Sequence, residues 1–136
     1  MDAFPYAALE ILIERGEMEE VRLMLGSGAD INARNSSGET LAYVACKNGN
    51  VELLRVISEL GADIHAPSNN GWTPAHIASL NGHAGALRML AELGADLDAA
   101  TLDGLANTPA KLASFYNHVR TLRVLVDFGA DLIKRM

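Results

Sequence analysis

The residues of this chain that could carry chemistry are four histidines (His65, His76, His83, His118), one cysteine (Cys46) and an aspartate that recurs at Asp30, Asp63, Asp96 and Asp131. A zinc site needs three or four such side chains about 2 Å from one point. His83 and His118 stand at equivalent places thirty-five residues apart, one behind Asn81-Gly82 and the other behind Tyr116-Asn117, which separates them too far to share an ion. Cys46 lies among small apolar residues, so no Cys/His set has ligand spacing. Acid–base catalysis asks two carboxylates to occupy unlike environments facing one substrate. The four aspartates instead repeat one local context, which argues for loop hydrogen bonding. No Gly-x-Ser-x-Gly nucleophile turn and no glycine-rich phosphate loop ahead of a helix occur. The expectation is a chain without catalytic residues, metal or cofactor, whose glycines serve as punctuation.

The elements that hold these residues repeat. Gly-Ala-Asp stands at 28–30, 61–63, 94–96 and 129–131, with intervals of 33, 33 and 35 residues. A fixed period of this size signals a repeat architecture. Within the best-formed unit, Thr73-Pro74-Ala75-His76-Ile77-Ala78 opens a helix, Asn81-Gly82-His83 closes it, and a second apolar run ends at Leu93-Gly94. This pattern resembles the ankyrin repeat family over nearly the whole chain. The resemblance implies an all-α solenoid of four helix-pair repeats with short β-hairpin-like loops, the terminal repeats acting as caps. The approximate repeats are 1–30, 31–63, 64–96 and 97–136, within one domain. It also implies that His76 bonds the backbone of adjacent loops, and that first-helix faces and loop tips line a concave binding surface.

Composition narrows the setting. The 136 residues are 49% apolar and carry a net charge of −6, with lysines and arginines scattered. No basic stripe is present to track phosphates, so nucleic acid is not an expected partner. No segment reads as a membrane span or a secretory leader, and a lone cysteine suits a reducing compartment. An intracellular, cytoplasmic chain is expected.

In order along the chain, residues 6–14 and 17–25 read as the two helices of a first unit. Leu9, Leu12, Ile13, Val21, Leu23, Met24 and Leu25 point inward, and Glu10, Glu14, Arg15, Glu17, Glu19 and Arg22 form a polar exterior. Thr40, Thr73 and Thr108 read as N-caps, each worth roughly 1 kcal/mol. Leu53, Leu54, Val56 and Ile57 form the buried stripe of the second unit, and Leu122, Val124 and Leu125 that of the fourth, where Thr121 reads as polar exterior. The fourth unit carries two extra residues in its loop, at Leu105-Ala106-Asn107, and ends its first helix on Asn117.

Subtracting the residues the fold needs leaves a candidate partner-binding set. It comprises Arg34, Glu39, Lys47, Asn69, Asn70, Trp72, Leu80, Asn81, Leu102, Asp103, Leu105, Phe115 and Tyr116. The second unit offers polar side chains there, whereas the third and fourth offer aromatic rings and leucines, which favour an interaction patch. The expected function is non-catalytic binding of another protein by a monomer. The competing readings are an inhibitor or regulatory subunit of an enzyme, and a scaffold that self-associates.

Overall fold

A computed structural model describes residues 6–28 and 30–131. Residues 1–5, Ala29 of the first Gly-Ala-Asp phrase and residues 132–136 lie outside the described part. The described residues form eight helices in chain order: α1 (Tyr6–Glu14), α2 (Met18–Gly26), α3 (Leu41–Asn48), α4 (Val51–Glu59), α5 (Pro74–Leu80), α6 (Ala84–Glu92), α7 (Pro109–Phe115) and α8 (Val119–Asp127). Each odd-numbered helix packs on the even-numbered helix after it. Between units, α3 lies against α5 and α5 against α7, while α2, α4, α6 and α8 stack in a second layer. The chain is therefore an all-α solenoid. Helices of seven to nine residues are too short to hold themselves together in water, so the stacking supplies their stability.

The core runs without a break between the two layers. Leu9, Leu41, Leu53, Leu54, Ile57, Leu87, Leu90 and Leu125 are all fully buried in it. Ala75, Ala78, Ala110 and Ala113, all buried, are small enough to bring the first helices close to one another. Two assignments of helix face need correction, Leu23 read as inward and Thr121 as exterior. Leu23 is 68% exposed, because it falls on the outer side of α2, and Met18 is the residue buried there with Val21 and Leu25. Thr121 is fully buried within α8, and its hydroxyl has no hydrogen-bond partner.

Local signals set the helix ends. Thr40, Thr73 and Thr108 accept from the backbone N–H groups of Tyr43, His76 and Lys111 at 3.2, 3.3 and 3.2 Å, each satisfying a donor that the first helical turn leaves free. Pro74 and Pro109 sit at first-turn positions where their missing N–H costs nothing. Gly49 and Gly82 close α3 and α5 with φ of 72° and 73°, and Asn117 closes α7 with φ 62°. At the two glycines the neighbour adds a second constraint. A Cβ on Gly49 would stand 2.5 Å from His83 Nδ1, and one on Gly82 would stand 2.5 Å from His118 Nδ1.

The loops are turns, and no strand forms among the described residues. A backbone bond spans each: Asn35 N–H to Glu39 O (3.0 Å), Ser68 N–H to Trp72 O (2.9 Å) and Thr101 N–H to Asn107 O (2.9 Å). In the first two a return bond, Gly38 N–H to Asn35 O and Gly71 N–H to Ser68 O (both 2.9 Å), tightens the turn. These bonds lie within the turns and give the outline of a hairpin without a ladder. The two additional residues of the fourth loop place Ala106 at φ 51°, a conformation costing a non-glycine residue about 1 kcal/mol. Lys111 Nζ steadies this turn by donating to the Leu105 and Ala106 carbonyls at 3.3 and 3.4 Å.

Candidate functional site

His76 illustrates how the loops are tied to the helices. Its ring Nδ1 accepts from Thr73 N–H at 3.0 Å, so the proton resides on Nε2, which donates to the Ala99 carbonyl at 2.8 Å. The ring thus joins α5 to the following loop. Burial pushes its pKa below the ordinary imidazole value, against the opposing effect of the hydrogen bond to Ala99. Tyr43 holds the same repeat position one unit earlier. It is buried, it bonds Ser68 of the following loop, and burial raises its pKa. Burial likewise pushes the Cys46 thiol up to about 12, which leaves it an inert part of the core. His83 and His118 face the carbonyls of Lys47 (3.2 Å) and Leu80 (2.9 Å) in the preceding unit. Among the described residues, no group of three or more His, Cys, Asp or Glu side chains is arranged to hold a metal ion.

Several side chains in the candidate set are occupied within the fold and are not free in the way subtraction assumes. Arg34 Nη1 donates to the Gly38 and Pro67 carbonyls at 2.7 and 2.6 Å, clamping consecutive loops. Glu39 accepts from Asn35 Nδ2 at 3.1 Å and pairs with Lys47 Nζ at 3.3 Å. Asn70 Oδ1 accepts from Ser68 Oγ and, at 3.1 Å, from Trp72 N–H, which makes it a turn former. Asn81 Nδ2 donates to the Lys47 carbonyl at 3.0 Å. Asn69 is exposed and crosses the backbone of Gly38, where any Cβ would overlap its carboxamide. Leu102 is 83% exposed and rests over Gly71.

The apolar members behave differently. Trp72, Leu80, Leu105, Phe115 and Tyr116 line one open cleft of about 720 Å³ along the last two loops and the end of α7. Phe115 is 81% exposed, Leu105 65% and Tyr116 51%, although the fold has no use for apolar surface in water at these places. The rings are held in place. Trp72 Nε1 donates to Asp103 Oδ2 at 3.1 Å, and Tyr116 lies edge-on to Phe115 (centroids 5.0 Å apart) and stacked on His118 (6.3 Å). Asp103 is itself fixed, since its Oδ1 accepts from Thr101 Oγ1 (2.8 Å) and Leu105 N–H (3.0 Å). Those bonds, with that from Trp72, hold its carboxyl below the usual range. Such rigidity lowers the entropy lost when a partner docks.

Sequence reasoning overlooked Asn107, Lys111 and Ser114, which complete the cleft wall. Lys111 was identifiable, because it stands where Tyr43 and His76 bond the following loop, and a lysine there breaks the repeat pattern.

The family model for ankyrin repeats in three copies matches residues 6–101 and again 67–136. A search of the curated proteins finds no match to the chain. Among the described residues no helix is long and apolar enough to cross a membrane. Ankyrin repeat domains are non-catalytic modules for protein interaction. With the matched segments together spanning residues 6–136 and the stacked helix pairs in agreement, the chain belongs to the ankyrin repeat family.

Proposed function

We propose that this protein binds another protein through the loop and first-helix side of its last two units, with Trp72, Leu105, Phe115 and Tyr116 as the anchoring residues. The supporting observation is the cleft they share. Rings and leucines that the core does not use converge on one water-exposed depression and are oriented by Asp103 and His118. A few aromatic anchors surrounded by fixed polar groups are the usual source of affinity at protein interfaces. The partner suited to this cleft presents one or two bulky apolar side chains.

Photo-crosslinking tests the assignment. A photoreactive phenylalanine analogue in place of Leu105 should yield a discrete adduct in lysate, whereas the same analogue in place of Glu52, on the other helix layer, should not. Truncating Phe115 to Ala should remove the Leu105 adduct. Adducts of equal yield from both positions would show that the cleft does not select a partner.

A further inference from the structure

A second groove lies on the other helix layer. Arg88, Arg120 and Arg123 border it, Ala84, Gly85, Val119 and Val124 complete its wall, and it encloses about 450 Å³ between α6 and α8. Arg88 donates to Asp127 Oδ2 at 3.4 Å and lies 5.7 Å from the Phe128 ring centroid, while Arg120 and Arg123 have no ion-pair partner among the described residues. Two positive charges are thus in excess at one groove of a chain whose net charge is −6.

The repeat itself makes this charge unusual. Glu19, Glu52, Gly85 and Arg120 occupy one position in four successive second helices. The acids of α2 and α4 stand in the first turn, where the helix macrodipole favours negative charge, and α6 and α8 have no acid in that turn. Arg120 works against its own helix, and Gly85 brings no side chain to the groove between them. A residue that the fold disfavours, beside a groove with an apolar wall, fits selection for a ligand.

We propose that the α6–α8 groove docks an acidic protein segment in which an apolar side chain is flanked by carboxylates. The guanidinium groups on the rim match carboxylates in bidentate geometry, and Ala84, Val119 and Val124 receive the apolar side chain. A bare anion would leave that apolar wall unused. The groove is separate from the Trp72–Tyr116 cleft, so this docking does not depend on the function proposed above.

The probe is a capped synthetic peptide with leucine between two pairs of glutamates, titrated into the isotope-labelled protein. It should shift the amide signals of Gly85, Val119 and Arg123, with affinity falling as salt rises. The same peptide with glutamines should bind at least about tenfold more weakly, one decade in Kd. Arg120→Glu with Arg123→Glu should cost a similar factor, while Leu105→Ala with Phe115→Ala should leave peptide binding unchanged. Arg120→Glu alone should weaken binding while holding or slightly raising the melting temperature, which separates lost docking from lost folding. Equal binding of the glutamine peptide would overturn the proposal. Shifts confined to the Trp72–Tyr116 cleft would also overturn it, as would phosphate or phosphatidylserine vesicles moving the same amides at least as strongly as the peptide.

Discussion

His76 shows what one buried ring contributes. Its Nδ1 and Nε2 are both committed to backbone groups, and burial depresses its pKa. The folded state therefore favours the neutral ring. The associated stability is fully present above the unfolded imidazole pKa of about 6.5 and is lost as pH falls through that value toward the lower folded one. Thermal melts should show a midpoint that drops from neutral pH to mildly acidic pH, and His76→Gln should flatten that slope. In the same range the His76 ring signal should titrate below the normal midpoint. A normal midpoint would mean that the ring is not enclosed as described. At neutral pH, His76→Ala should cost about 3 kcal/mol, the sum of a cavity and two orphaned backbone groups.

At the scale of the helices, two substitutions examine the packing between units. Gly82 combines positive φ with the His118 ring, whereas Gly61 has φ 90° and open space around its missing Cβ. Gly61→Ala should cost about 1 kcal/mol of backbone strain. Gly82→Ala should cost at least about 1 kcal/mol more by chemical denaturation, because the alanine methyl collides with the ring. Equal losses would show that the His118 ring moves aside freely. Thr121→Val should instead raise stability by about 1 kcal/mol, since it removes a buried hydroxyl with no partner and keeps the shape. Helix positions and ends were legible in the sequence because threonine caps, prolines and glycines report on them directly. The inward faces of α2 and α8 were less so. Leu23 and Thr121 occupy helix faces opposite to those their polarity suggests, and only the stacking of α4 and α6 fixes which face is covered.

Over the whole molecule, the repeat period was enough to read the solenoid, because units that differ by few residues must stack alike. The candidate site was readable only in part. Removing the shared residues isolated Trp72, Leu80, Leu105, Phe115 and Tyr116, which the structure gathers along one cleft. The same subtraction also retained Arg34, Glu39 and Asn70, whose bonds run between loops or across them, and Asn81, which ties the end of α5 to α3. A side chain's use as a clamp depends on the neighbouring unit's carbonyls, and no single unit's sequence displays those. The groove bordered by arginines escaped notice for a related reason. Arg88, Arg120 and Arg123 are scattered along the chain and become a cluster only when α6 and α8 align.

Affinity and stability measured together on one variant test the central claim most directly. Once crosslinking has supplied the partner, Leu105→Ala combined with Phe115→Ala and Tyr116→Ala should raise its Kd at least about a hundredfold, as the loss of clustered aromatic anchors does at other interfaces. The melting temperature should stay within about 4 °C of the parent, because exposed side chains contribute little to folding. An unchanged Kd at an unchanged melting temperature would contradict the assignment of this cleft as the binding surface.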